Sequence, residues 1–214
     1  MKRVSASVAV WMLLAGSAGA EVPASHPWTG FYIGAGIGAG TVIQAQTLVD
    51  SLGPLFSDTY GATGHFAMVT AGYDFPLMQR YVAGVFFDFD LSRISNDSWS
   101  TLQPFDQKHA WSIGGRLGYL ATPTTLWYGL GGYTQSSFDF FMVGSRDLRG
   151  FFVGGGVESR LVGNWSLRGE YRYTQFLTDT IDLCGCVWLD AETSAHAGRL
   201  LLIYRFGSSA ATQP

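Results

Sequence analysis

The sequence predicts an all-β fold, an eight-stranded antiparallel up-and-down transmembrane β-barrel. Three observations predict it. Apolar residues recur at period two through segment after segment, as they do when successive side chains turn to opposite faces of a strand. Charged residues make up only 14% of the chain and Gly accounts for 28 of its 214 residues, well away from the average soluble domain. Beyond residue 20 no apolar stretch reaches the roughly 18 residues of a spanning helix. A chain without such a helix can cross a bilayer only if its strands close.

The elements follow in order. Residues 1–20 are predicted to be a signal peptide. Lys2 and Arg3 precede an apolar run from Val8 to Ala15, and Ala18-Gly19-Ala20 has the small-x-small cleavage pattern. The barrel is assigned to residues 21–206 and a short C-terminal tail to 207–214. In the first strand Phe31, Ile33, Ala35, Ile37 and Ala39 oppose Tyr32 and a run of alternate glycines, Gly34 to Gly40. That density of Gly disfavours a helix. In the second, Ala67, Val69, Ala71 and Tyr73 oppose Met68, Thr70 and Gly72. In the third, Ala83, Val85, Phe87, Phe89 and Leu91 oppose Gly84, Phe86, Asp88, Asp90 and Ser92. In the fourth, Trp111, Ile113, Leu117 and Tyr119 oppose Ser112, Gly114, Arg116 and Gly118. In the fifth, Leu126, Tyr128 and Leu130 are assigned to the apolar face against Trp127, Gly129 and Gly131. The sixth sets Phe151, Val153 and Val157 against Phe152, Gly154, Gly156 and Glu158. The seventh sets Trp165, Leu167, Tyr171 and Tyr173 against Ser166, Arg168, Glu170, Arg172 and Thr174. The last sets Leu200, Leu202, Tyr204 and Phe206 against Arg199 and Arg205.

The connections alternate between short and long. Asp74 to Arg80, Ala121 to Thr125 and Val162-Gly163-Asn164 carry turn chemistry. Val42–Thr63, Arg93–Lys108, Ser136–Arg149 and Gln175–Thr193 are long. These long connections hold Asp50, Asp58, Asp97, Asp106, Asp139, Asp147, Asp179, Asp182, Asp190 and Glu192, which predicts an acidic rim.

The faces settle which side meets lipid. A soluble barrel carries its charge outside. Here charge shares a face with Gly, while the other face is continuous and aromatic, which water does not tolerate over so many strands. The apolar face is therefore outward, with Tyr73, Tyr119, Tyr128, Trp165, Tyr173 and Tyr204 as interfacial girdles. The lumen is predicted to hold Asp88, Asp90, Glu158 and Glu170 with Arg116, Arg168, Arg172, Arg199 and Arg205. Two readings of that set stay open. One is a paired polar core that plugs a barrel whose interior is just wide enough for side chains. The other is a hydrated, selective pore. Arg suits the first, because its planar fork binds carboxylates bidentately.

Other chemistry finds little support. Net charge is −3 and becomes more negative once Lys2 and Arg3 leave, so nucleic acid is not an expected partner. No phosphate-binding loop is present, since the Gly runs alternate along strands. His109 and Ser112 are three residues apart, which in a strand puts them on opposite faces. His65 and His196 lie near the loop ends of their strands and could approach through neighbouring strands. Cys184 and Cys186 could form a local bridge, stay free, or help hold a soft metal. No cofactor and no metal site are expected.

Several segments, taken together, carry a family resemblance. Trp28-Thr29-Gly30-Phe31-Tyr32-Ile33-Gly34 stands at the first strand and Gly115-Arg116-Leu117-Gly118-Tyr119 at the fourth. Gly155-Gly156-Val157-Glu158, Asn164-Trp165-Ser166-Leu167-Arg168 and Glu170-Tyr171-Arg172-Tyr173 stand at the sixth and seventh, and Arg199 to Phe206 at the last. In order and spacing these resemble the small porin-like outer-membrane β-barrels of Gram-negative bacteria, grouped with the opacity and surface-antigen proteins. The resemblance implies an integral outer-membrane protein with four long loops outside the cell. It implies outer-membrane lipid and lipopolysaccharide as surroundings, and a barrel-assembly machinery that reads the terminal aromatic. The chain departs from the pattern in two ways: residues 207–214 follow Phe206, and Leu201 and Ile203 fill inward positions that are usually small or polar. The function expected is structural or surface-exposed, with a lumen plugged by charged side chains. A narrow porin for small solutes and a lipid-modifying enzyme are the alternatives, and any loop ligand is unassigned.

Overall fold

The computed structural model describes residues 27–50, 53–95, 105–140, 144–177, 179–182 and 187–206. The expected signal peptide, the tail, Asp97, Cys184 and Cys186 lie outside these residues. The described chain is all strand and turn: β1 (Gly30–Asp50), β2 (Gly53–Met78), β3 (Tyr81–Ser95), β4 (Phe105–Thr122), β5 (Thr125–Phe140), β6 (Gly144–Arg160), β7 (Trp165–Phe176), β8 (Asp179–Asp182) and β9 (Val187–Arg205). Each long strand pairs antiparallel with the next, and β9 pairs with both β7 and β1, which closes the barrel. Eight strands make the wall. The short β8 pairs with β9 beyond the end of β7.

The ladder fixes the barrel's shear. From Tyr32 the register partners run Gly72, Phe86, Gly114, Gly132, Phe152, Thr174 and Ala195. Ala195 then faces Val42 on β1, ten residues along from Tyr32. A closed eight-stranded wall with such a stagger has strongly tilted strands, about 35–45° from the axis.

The turns at one end are tight: Gln79-Arg80, Pro123-Thr124 and the segment from Leu161 to Asn164. At the other end the strands run well into the segments expected to be loops. β1 and β2 stay paired as far as Asp50 opposite Gly53, and β5 and β6 as far as Phe140 opposite Gly144. Above the bilayer the wall need not be greasy, so apolar alternation fades while the backbone ladder continues. Similarly, Asp74 belongs to β2, opposite Gly30, and not to a turn.

The two faces separate cleanly. Ile37, Val69, Val85, Leu117, Phe151, Val153 and Leu200 are exposed, whereas Tyr32, Met68, Phe86, Phe152, Leu201 and Ile203 are buried in the lumen. β5 corrects the expectation. Trp127 is 60% exposed, while Leu126, Tyr128 and Leu130 point inward and are buried. In this strand the greasier face turns inward, where it fills gaps left by glycines. A Cβ on Gly118 would stand 2.7 Å from Leu126 Cδ1, and one on Gly156 would stand 2.4 Å from the Tyr128 hydroxyl. Tyr128 therefore leaves the girdle and joins the lumen.

Candidate functional site: the charged lumen

The inward line of β6 ends at Glu158, which is fully buried. Its Oε2 accepts from Arg116 Nη1 at 2.9 Å and from Arg168 Nε and Nη2 at 3.0 and 2.8 Å. Its Oε1 accepts from Ser166 Oγ at 2.6 Å and Arg205 Nη2 at 3.3 Å. Arg168 sits directly across the ladder from Glu158. A second buried carboxylate, Asp74, binds Arg116 bidentately and takes Arg205 Nη1 at 2.7 Å. The Tyr32 ring lies within this cluster, 4.7, 5.0 and 5.2 Å from the guanidinium carbons of Arg168, Arg116 and Arg205. Such stacking over an aromatic face adds attraction in a desolvated setting.

A second cluster lies further toward the hairpin end. Arg172 pairs with Asp88 at 2.6 Å and with Glu170, while Arg199 pairs with Asp90 and more loosely with Asp88 at 3.4 Å. Arg172 packs between Phe86 and Phe152, and Arg199 over Phe66. Tyr128 links the clusters. Its ring lies 5.1 Å from Arg116, and its hydroxyl donates to Glu170 Oε2 at 3.0 Å. Tyr128→Phe is expected to cost about 1–2 kcal/mol, read as a lower urea midpoint, because it strips a buried carboxylate of a donor.

Buried residues flank this column at both ends. At the tight-turn end Trp28 is fully buried; its indole N–H donates to the Pro123 carbonyl at 3.1 Å, and its own carbonyl accepts from Arg205. Toward the hairpins, Ser112 donates to Thr134 at 2.9 Å. A polar cavity of about 50 Å³, bordered by Asp90, Ser112, Ser136 and Arg199, lies at this level. Beyond it Phe138 and Phe176 meet edge to face at 5.8 Å, with Val42 and Ala62 in the same buried cluster.

The structure thus brings Asp88, Asp90, Arg116, Glu158, Arg168, Glu170, Arg172, Arg199 and Arg205 into one buried column. Sequence reasoning missed Asp74, Tyr32 and Tyr128. Asp74 continues the inward line of Met68, Thr70 and Gly72, a signal hidden by Pro76 two residues later. The rings were missed because each stands over a glycine of a neighbouring strand, a relation only the register supplies.

The other candidates stand apart. His109 is exposed on the outer wall, and Ser112 is buried in the lumen. His65 faces Ala39 and His196 faces Thr41, so the two flank β1 on the outside. Of the rim carboxylates, Asp147 accepts from Gln135 and Ser137, and Asp58 from the Thr59 backbone.

Comparison with known proteins places this geometry. Residues 10–206 match the model of the outer membrane protein beta-barrel domain. The chain is 33% identical over 171 residues to a 22 kDa outer membrane protein of Rhizobium leguminosarum bv. viciae, covering 77% of this chain and 72% of that one. It is 27% identical over 201 residues to a 31 kDa outer-membrane immunogenic protein of Brucella melitensis, covering 84% of each. The crystal structure of the outer membrane protein OprG from Pseudomonas aeruginosa shares the fold, with a TM-score of 0.54 at 10% identity over 83% of this chain and 97% of that one. With its closed eight-stranded wall and lipid-facing aromatic surface, the chain belongs to the outer-membrane β-barrel domain family and is an integral protein of the outer membrane.

Proposed function

We propose that this chain is a structural, surface-exposed barrel with a lumen closed by its own side chains, and that it is not an enzyme. The observation that carries the reading is the charge column. Asp74 and Glu158 meet Arg116, Arg168 and Arg205 in one cluster; Asp88, Asp90 and Glu170 meet Arg172 and Arg199 in the other. One cluster holds an extra cation and the next an extra anion, so an ion of either sign meets a repulsive layer in a narrow, buried interior. Trp28 and the Phe138–Phe176 pair narrow the two ends.

The reading extends outward. The hairpin end faces the cell exterior and the tight turns face the periplasm, as in barrels of this class. Residues 1–20 are removed on export, and residues 207–214 form a periplasmic tail. The outer wall meets outer-membrane lipid and lipopolysaccharide, and the assembly machinery reads the last strand through Phe206. A narrow porin is the second reading. The polar cavity beside Asp90 and Arg199 favours it, because Asp90 Oδ1 and Arg199 Nε have no hydrogen-bond partner among the described residues.

Single-channel recording on the folded chain in a planar bilayer decides between them. A heat-dependent gel shift reports closure of the barrel. The folded protein is expected to be silent at baseline. Steady current steps would overturn the plug and move attention to the cavity.

A further inference from the structure

The hairpin-side cluster of the lumen is one positive charge short. Asp88, Asp90 and Glu170 meet Arg172 and Arg199, three carboxylates against two guanidiniums among the described residues. A net charge in a buried site is costly unless something answers it. Asp90 is where the shortfall is felt. It is 6% exposed, and Arg199 Nη2 holds its Oδ2, while its Oδ1 has no hydrogen-bond partner among the described residues. Glu170, by contrast, has Arg172 on one oxygen and the Tyr128 hydroxyl on the other, and Asp88 receives both guanidiniums.

The polar cavity of about 50 Å³ is bordered by that same residue. Ser112 borders it too, and the two are inward neighbours: Ser112 of β4 stands in register with Asp88, two residues from Asp90 along β3. The hydroxyl protons on this wall are already committed. Thr134 Oγ1 lies 3.0 Å from the Trp111 carbonyl oxygen, which can only accept, so Thr134 donates there. Ser112 Oγ, 2.9 Å from Thr134 Oγ1, must then donate to Thr134, and only its lone pairs are left. Ser136, also on the border, accepts from the Gln107 amide at 3.4 Å. The free oxygens here are therefore hard acceptors, a carboxylate beside neutral hydroxyls. Arg199 Nε, a donor without a hydrogen-bond partner among the described residues, would be satisfied by a water in the same cavity.

We propose that the cavity is a site for one small monovalent cation, held by Asp90 Oδ1 and Ser112 Oγ with water completing its shell. This rests on the plugged-lumen reading and deepens it. A cation entering from the hairpin end meets the negative cluster first. It is then halted by Asp74, Glu158, Arg116, Arg168 and Arg205, the cluster with the extra positive charge. The cavity has room for about three or four water-sized species, which suits an ion with two or three waters. A divalent ion fits poorly: it wants several carboxylate oxygens, and Arg199 repels it about twice as strongly.

The probe is thallous nitrate, added to the folded chain in detergent at neutral pH and followed by thallium NMR. One saturable ion per chain is expected, displaced by sodium or potassium nitrate but not by N-methylglucamine nitrate. Asp90→Asn is expected to abolish binding. Ser112→Ala, which leaves the ion pairs in place, is expected to weaken binding about tenfold. Asp147→Asn, at an exposed rim carboxylate, is expected to change nothing. The heat-dependent gel shift confirms that each variant is folded, and if Asp90→Asn fails to fold, Ser112→Ala carries the test alone. Absence of saturable binding by the parent means that a proton or water answers Asp90, and it overturns the proposal. Unchanged affinity in Ser112→Ala, or displacement by calcium more readily than by potassium, overturns it as well. Single-channel recording reports on the plug separately. A silent barrel that binds no thallous ion refutes the site alone, and a conducting barrel that binds it refutes the plug alone.

Discussion

Glu158→Ala is expected to lower the stability of the folded barrel by about 3–5 kcal/mol, the cost of breaking a buried ion pair from one side. Glu158 is fully buried and receives donors from Arg116, Arg168, Arg205 and Ser166. Arg116 and Arg205 would still have Asp74. Arg168 has its ion pair with Glu158 and, with that gone, would be left as a buried cation between the Tyr32 and Tyr128 rings. Glu158→Gln should fall between parent and Ala, since an amide oxygen still accepts hydrogen bonds but carries no charge. Glu158→Ala with Arg168→Met should recover part of the loss, because the pair is removed together. Arg116→Ala should weaken the barrel as well, by leaving Asp74 with Arg205 as its one remaining ion pair among the described residues. The measurement is the urea midpoint of tryptophan fluorescence for the barrel in lipid vesicles. A midpoint unchanged in both Glu158→Ala and Arg116→Ala would sink the packed-lumen account.

Much of this architecture was legible because a lipid-facing barrel writes its two faces into alternate residues. In β3, β4, β6, β7 and β9 an apolar line runs beside a line of Gly and charge, so the inward charges could be named from parity alone. β5 fails for an instructive reason. Its inward residues, Leu126, Tyr128 and Leu130, are greasier than its outward Gly129 and Gly131, because they fill space released by glycines on other strands. Hydrophobicity reports burial or lipid contact without saying which. The extended hairpins read as loops in the sequence because the apolar alternation ends before the backbone ladder does. The partner of each Arg was not legible at all. Arg116 reaches Asp74 on one side and Glu158 on the other, each 42 positions away in sequence, across a lumen whose width is set by strand number and shear.

The glycines on the two faces do different work, and that difference carries the sharpest expected contrast. Gly132 on β5 faces inward, between Gly114 of β4 and Phe152 of β6. A Cβ there would lie 2.2 Å from the Ile113 carbonyl oxygen, 2.6 Å from Gly114 Cα and 2.7 Å from the Phe152 ring. Two of those atoms are backbone, so relief requires opening the β4–β5 ladder, and the third is the ring that Arg172 stacks upon. Gly132→Val is expected to cost at least about 3 kcal/mol, at the upper end for overpacking, and to abolish the heat-dependent gel shift at ordinary refolding yield. Gly169 on β7 faces lipid, and a Cβ there would meet nothing within 4 Å. Gly169→Val is expected to fold normally and to gain a few tenths of a kcal/mol, because a β-branched residue suits an extended strand better than Gly does. Equal folding of the two variants would mean that the inward glycines are not spacers for the aromatic rings. Loss of both would mean that the outer face at Gly169 is itself a packed interface.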